Sequence, residues 1–596
     1  MPRGMGKLNH LQQLDFFIVG KNIENGIKEL GGLSNLHGSL MIRNLEKVTS
    51  SDEAMEAKIM DKKYIDRLSL EWSKCNDNSS WFQIETDVLC KLQPHQELKS
   101  LSISGYQGTR FPDWVENCFF HKMTNLILRN CKNCCMLPSL GQLPSLENLY
   151  ISRLNSVKTI DAGFYKNGNS CSVKSFPCLK YLEINNMPCW EVWSFFESDA
   201  FPSLRRLNIW GCPKLRGDLP NHLPALEYLR ISNCEQLVST LPRAPVLQNL
   251  EIFESNKVAL DVFPPSVESI KVKGSPMVES MIEAITNVQP TSLHSLTLSD
   301  SSSVISFLGG RLPASLNTLY IDDIKKLEFP SQHKHELLES LNVYNSCDSL
   351  TSLPLITFSN LKTLIIDRCE NMESLLVSVS ESPKNLSYFE IRQCPNFVSF
   401  PREGFPAPNL TSLIVGFCDK LKSLPTQMSA LLPKLEHIYI RNCPKIEWFP
   451  EGGMPPNLRI VVIHNCEKLV SGLAWPSMDM LTDLIIWGLC DGIKSFLKED
   501  LLPLSLTSLS VHDFSSIEML DCKGLLHLTS LQTLGIYKCQ KLENMTGERL
   551  PLSLIKLEII FCPLLQKGMK HSQIWPKISH ISLALKLTVD GFIDQG

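Results

Sequence analysis

Three cysteines, Cys131, Cys134 and Cys135, form a C-x-x-C-C cluster, the residue type and spacing that could open a structural zinc site. Such a site wants four ligands, and neither a second C-x-x-C nor a histidine pair follows at finger spacing, so no metal is expected there. His333, His335 and Glu336 offer a fragment of a metalloprotease helix, but the second histidine is missing and Glu339 stands in its place. No G-x-S-x-G, G-x-x-x-x-G-K-S/T or G-x-G-x-x-G occurs, which removes the hydrolase elbow, the phosphate loop and the dinucleotide turn. Sequons at Asn78, Asn385, Asn409 and Asn544 occur at about the frequency chance would give. The expectation is a protein that is not an enzyme, with no catalytic, cofactor-binding or metal-ligating residue.

What remains is a surface. Outward positions that recur along the chain fall on Arg392, Gly416, Arg441, His464, Trp487, His512 and Tyr537. Tyr388, His437 and Tyr439 flank them, and Trp210, Tyr228 and Phe253 lie further upstream. Arginine, tryptophan and tyrosine dominate protein-binding hot spots, so the pattern reads as a protein-binding stripe. The alternatives are docking of another part of the same protein, or aromatics carried with no specific role.

The elements that must position this stripe are repeats. A leucine-like residue followed three and five positions later by two more recurs as Leu204-Leu207-Ile209, Leu361-Leu364-Ile366, Leu435-Ile438-Ile440, Leu458-Val461-Ile463 and Leu531-Leu534-Ile536. About 23 such units run from Leu36 to Ile578, spaced near 23 to 25 residues, which is the leucine-rich repeat signature. The L-x-L alternation is strand periodicity, and one such strand buries its face only when neighbours stack on it. The pattern therefore predicts an α/β solenoid: a leucine-rich repeat horseshoe with one long concave parallel β-sheet and a convex side of irregular, 3-10 and short helical segments. Successive stripe residues should lie side by side over about 29 Å, six strand spacings.

The same alignment places Cys131, Cys212, Cys234, Cys369, Cys394, Cys418, Cys443, Cys466, Cys539 and Cys562 three residues after the third leucine-like position. There the side chain turns inward to meet backbone groups, so these are expected to be buried, unpaired thiols. The total of 21 cysteines is odd, which fits a reducing compartment better than a disulfide framework. The 596 residues, 43% hydrophobic and 20% charged, have globular composition, and a net charge of −4 lacks the basic excess of a nucleic-acid binder. No run of 18 apolar residues marks a membrane span, and the start shows no signal-peptide pattern. Residues 1–95 read as atypical N-terminal repeats with a helix-bearing unit, where Ser50 and Glu53 are spaced as a capping box. Residues 96–570 read as the regular array, with a polar excursion around 168–172, and 571–596 as a closing repeat and tail.

The segments Met1 to Leu8, Phe17 to Lys21, Ile27 to Leu30, Leu68 to Ser73, Tyr106 to Trp114, Leu137 to Leu146, Trp190 with Trp193, and Trp575 to Ile581 form a further pattern. Together they resemble plant intracellular disease-resistance proteins of the coiled-coil, nucleotide-binding, leucine-rich-repeat class. The resemblance implies a recognition module that binds pathogen effectors or guarded host proteins and restrains a nucleotide-binding switch. It also implies a cytoplasmic or nuclear location. The coiled-coil and the switch motifs of that class are missing, so nucleotide binding is not carried over and Met1 reads as an internal start. The alternative is a stand-alone repeat adaptor or decoy, such as a substrate-selecting subunit of a ubiquitin ligase.

Overall fold

The computed structural model describes residues 1, 3–21, 25–73, 80–116, 119–166, 174–194, 199–260, 263–306, 312–328, 334–346, 350–377, 383–447, 449, 453–471, 478–488, 502–514, 516–547, 549–570, 581 and 583–588. The chain divides into two compact units, Met1–Leu296 and Thr297–Gly596. Both are leucine-rich repeat solenoids. The expected excursion at 168–172, the closing segment 571–580, His333 and Asn78 lie outside the described residues.

Each regular repeat forms a short strand that starts one residue before the second leucine-like position. In the first unit Ser100–Ser104, Asn125–Arg129, Asn148–Ser152, Tyr181–Asn185, Arg206–Trp210, Tyr228–Ser232, Asn249–Phe253 and Ser269–Lys273 pair in parallel without a register slip. The second unit runs Ser340–Tyr344, Thr363–Asp367, Tyr388–Arg392, Ser412–Gly416, His437–Arg441, Ile460–His464, Asp483–Trp487, Ser508–His512, Thr533–Tyr537 and Lys556–Ile560 in the same way. Even positions such as Leu413, Val415, Ile438 and Ile440 are buried, so the inward leucine columns form the core. A one-residue slip would turn all of them to solvent, which is why the register holds.

The strand ends on a left-handed residue. Asn233, Arg368, Gln393, Phe417, Asn442, Asn465, Asp513, Lys538 and Phe561 all have φ between 49° and 57°, and none is β-branched. This conformation aims the backbone N–H sideways, as a further rung of the ladder. Asn442 donates to the His464 carbonyl at 2.7 Å and Lys538 to that of Ile560 at 2.8 Å.

The cysteine follows directly. Each thiol donates to the carbonyl two residues back, as Cys394 does to Arg392 at 3.1 Å and Cys443 to Arg441 at 3.3 Å. It also accepts a backbone N–H from the preceding repeat: Cys443 donates to the Cys466 sulfur and Cys539 to the Cys562 sulfur, both at 3.4 Å. Ser255 performs both tasks in the first unit, donating to the Phe253 carbonyl at 3.0 Å and accepting from Cys234 at 3.1 Å. All ten repeat cysteines are buried thiols. The neighbouring Cys369 thiol, together with burial, pushes the Cys394 thiol far above its ordinary range, so it stays protonated.

The return segments include 3-10 turns at Ile27–Gly32, Asp113–Glu116, Leu140–Gln142 and Leu355–Thr357. Short parallel pairs such as Ser352–Pro354 with Ser374–Leu376 sit among them. Ser50 caps the helix Ser51–Met55, its hydroxyl accepting from the Glu53 N–H at 3.2 Å. Two longer helices, Ser80–Lys91 and Ser275–Val288, depart from the expected short-helix returns. The second buries Met277, Val278, Met281, Ile282 and Ile285 at helical spacing, and its own apolar stripe explains it. Among the described residues no helix is long and apolar enough to cross a membrane.

Two outcomes follow for stability. Leu413→Ala should cost about 2–5 kcal/mol in the unfolding of the second unit, as a cavity in a packed column does. Cys466→Ser should be tolerated, because a hydroxyl fills the same role at Ser255. Cys466→Val should cost about 1–3 kcal/mol by orphaning the Cys443 N–H. Denaturant unfolding of the three variants measures both.

Candidate functional site

The ladder register of the second unit aligns Arg392, Gly416, Arg441, His464, Trp487, His512 and Tyr537 as successive Cα partners at the fifth strand position. Tyr388 and His437 stand in the first-position column, and Tyr439 in the third-position column between the two. All project from the face opposite the leucine core, because odd and even strand positions point apart.

Four of the rings stack on one another. His464 and Trp487 lie 5.6 Å apart, Trp487 and His512 4.1 Å, and His512 and Tyr537 4.2 Å, with interplanar angles of 29°, 15° and 12°. A strand spacing of about 4.8 Å suits face-to-face aromatic contact, so the ladder itself builds the stack. Stacking spends the ring faces within the protein and leaves edges for a partner. Gly535 makes room for the last ring, since a Cβ there would overlap Tyr537. The Tyr537 hydroxyl donates to Glu558.

Burial between neighbouring rings holds His512 down to about 4, with the Lys538 charge adding to the effect. His464 is lowered too, first by burial and then by the Arg441 cation. The stack is therefore uncharged near neutral pH. The Nδ1 atoms of His437 and His464 are buried with no hydrogen-bond partner among the described residues.

The two arginines differ. Arg392 Nε donates to Glu390 Oε1 at 2.8 Å, and the other carboxylate oxygen of Glu390 accepts the Tyr388 hydroxyl. Arg441 makes no ion pair among the described residues, and its guanidinium lies 5.2 Å from the Phe417 ring centre. A cation–π contact holds it without satisfying its forked donors.

One feature was missed from sequence. Ile414, Tyr439, Val462 and Ile485 are consecutive partners in the third-position column and form a half-buried apolar floor beside the stripe. The signal was present, because the residue between the two strand leucines is apolar in four successive repeats. It is Glu390 before them and Ser510 after.

The other candidates are absorbed by the fold. Cys131, Cys134 and Cys135 donate to the carbonyls of Arg129, Gly108 and Thr109 at 3.4, 3.1 and 3.3 Å. His335 is buried, its ring stacked 5.8 Å from Phe358. Asn385 and Asn409 use their side-chain amides to bridge to Asn360 and to the Lys384 carbonyl of the preceding repeats, both at 2.8 Å. In the first unit Trp210 donates to Glu183 at 3.4 Å, Tyr228 to Glu251 at 2.9 Å, and Phe253 carries Arg230 5.5 Å over its ring.

Two family models match the first unit: the R13L1/DRL21 leucine-rich repeats over residues 27–154, and the leucine-rich repeats of plant disease resistance protein RPS2-like over residues 95–235. These repeats are similar to the leucine-rich repeats of plant disease-resistance proteins. The chain is 27% identical to the putative disease resistance protein At3g14460 of Arabidopsis thaliana, over 93% of its own length and 51% of that protein. It is 29% identical to the putative disease resistance RPP13-like protein 1 of the same plant, over 65% and 30%. With disease resistance protein RGA2 of Solanum bulbocastanum it shares 31% over 41% and 25%. The chain thus spans about half, or less, of the length of the curated relatives it matches.

The stack has a pH signature. An unfolded histidine binds its proton near pH 6.5, whereas folded His512 does so only near pH 4. The unfolded chain therefore holds more protons between those values, and the stabilisation is fully present above pH 6.5 and lost as pH falls toward 4. His512→Asn should flatten that part of the stability–pH curve. Urea midpoints measured from pH 7.5 to pH 4 provide the check.

Proposed function

We propose that this chain is the protein-recognition module of a plant disease-resistance receptor, acting in the cytoplasm or nucleus and not as an enzyme. Its partner is a pathogen effector, a guarded host protein or the receptor's own nucleotide-binding switch. The observation that carries the reading is the stripe in the second unit. There a ring stack, an apolar floor and an unspent arginine share one in-register face.

The arrangement suits a protein partner on physical grounds. Six strand spacings give about 29 Å of stripe, a length that fits a standard interface burying about 800 Å² per side. The rings are already held by their neighbours, so few rotamers remain to be frozen on binding. The floor supplies the desolvated centre that hot spots require, and Arg392 and Arg441 supply a polar rim.

The reading is tested by expressing this chain together with the nucleotide-binding half of one of its relatives, and separately with candidate effectors. Trp487→Ala and Arg441→Ala should each weaken the contact by about 2 kcal/mol or more, the usual hot-spot threshold. Arg402→Ala, exposed on the return side, should change little. Quantitative co-precipitation with circular dichroism as a folding control measures the effect. Full partner retention by a folded Trp487→Ala, Arg441→Ala double variant would remove the stripe as the site.

A further inference from the structure

Among the stripe residues Gly416 alone has no side chain, and the backbone does not require it. Its φ lies outside the left-handed region, and a Cβ built there would sit 3.6 Å from Arg392 Cγ and 3.7 Å from Arg441 Cβ, both ordinary contacts. An alanine would fit. A longer side chain would run up between the two arginines, so what the glycine provides is a gap.

The walls of that gap are cationic. Arg392 and Arg441 flank it two ladder spacings apart, about 9.6 Å between Cα atoms. Arg392 spends Nε on Glu390 and keeps both terminal amino groups, while Arg441 keeps all its donors. Glu390, buried and bonded to Arg392 and the Tyr388 hydroxyl, offsets the Arg392 charge, and Asp367 is the ladder partner of Arg392 on the side away from the gap. The uncompensated positive charge at the opening is therefore that of Arg441, with the terminal amino groups of Arg392 as further donors. Ile414 lies on the same strand, two residues before the gap, and begins the apolar floor that continues through Tyr439, Val462 and Ile485.

We propose that the gap over Gly416 is a socket for a carboxylate side chain of the protein partner. An extended segment from that partner then runs across the strands and sets apolar side chains on the floor beyond. The proposal rests on the recognition reading above and specifies its chemistry. Charge complementarity selects the carboxylate: two guanidinium groups offer it charge-assisted bonds of about 2.8 Å from either side. The floor sets the spacing. From Gly416 to Ile485 is three strand spacings across the ladder and two residues along it, about 16 Å, which an extended chain covers in about four to five residues at 3.4 Å each. Alternate side chains share a face, so the partner segment has the form Asp/Glu-x-apolar-x-apolar.

The test selects displayed random 12-residue peptides on the wild-type chain and measures the enriched binders by fluorescence anisotropy. Enriched peptides should carry the Asp/Glu-x-apolar-x-apolar pattern. Changing that acid to its amide should weaken binding about tenfold or more, the scale of a lost charge-assisted pair. Gly416→Leu, which fills the gap without altering charge, and Arg441→Gln should each abolish the preference for acid over amide. Gly416→Ala should keep it. Binders that lose affinity on Tyr439→Ser or Trp487→Ala yet show no acid preference would overturn the socket and leave the recognition face standing. Binders indifferent to all of these substitutions would overturn both. Unchanged circular dichroism and unfolding midpoints for Gly416→Leu exclude loss of fold as the cause.

Discussion

The structure depends on how each repeat stops being a strand. Two inward leucine-like side chains define a strand only a few residues long, and its last carbonyl must be satisfied while the chain turns away. A left-handed residue directs its N–H to the next repeat, and the cysteine or serine after it takes up the carbonyl two residues back. The same sulfur or hydroxyl receives an N–H from the repeat before. Each turn is thus completed by its neighbours on both sides. No repeat is self-sufficient, which is the condition for a solenoid to propagate in register.

That register is also what makes the outer face chemically distinctive. Side chains one strand apart meet at aromatic stacking distance, so neighbouring rings pair with each other before any partner arrives. Carboxylates on the same face are consumed in a similar way. Glu390 is held by Tyr388 and Arg392, Glu558 by Tyr537 and Lys556, and Glu251 by Tyr228 and Lys271. The surface is therefore largely self-neutralised, and the groups left over carry its specificity. Among the described residues of the second unit those include Arg441, the Asp367 carboxylate, two imidazole nitrogens and the apolar floor.

The strand positions and the fate of the repeat cysteines were legible because both follow one period, and a period survives local variation. The left-handed turns at Phe417, Lys538 and Phe561 were not, since nothing about phenylalanine or lysine signals that conformation. The ladder imposes it. Ser275–Val288 did carry a helical pattern behind Pro276, but an alignment built on strand leucines steps over it. The stripe residues could be placed in a column from spacing alone. Their state could not, because the low proton affinity of His512 and the tie between Arg392 and Glu390 depend on rotamers and on neighbours in the next strand.

The unslipped pairing has a consequence for how such a chain can change over generations. Gain or loss of a single residue within a strand inverts its faces and exposes the core. Gain or loss of a whole turn of chain adds or removes one strand, one left-handed residue and one thiol together, and the flanking turns close on their new neighbours with the same bonds. Unequal exchange between repeats is therefore structurally tolerable where point insertion is not. Each such exchange would also bring previously separated outward residues side by side, so the scaffold can shuffle its outer face while its core stays the same.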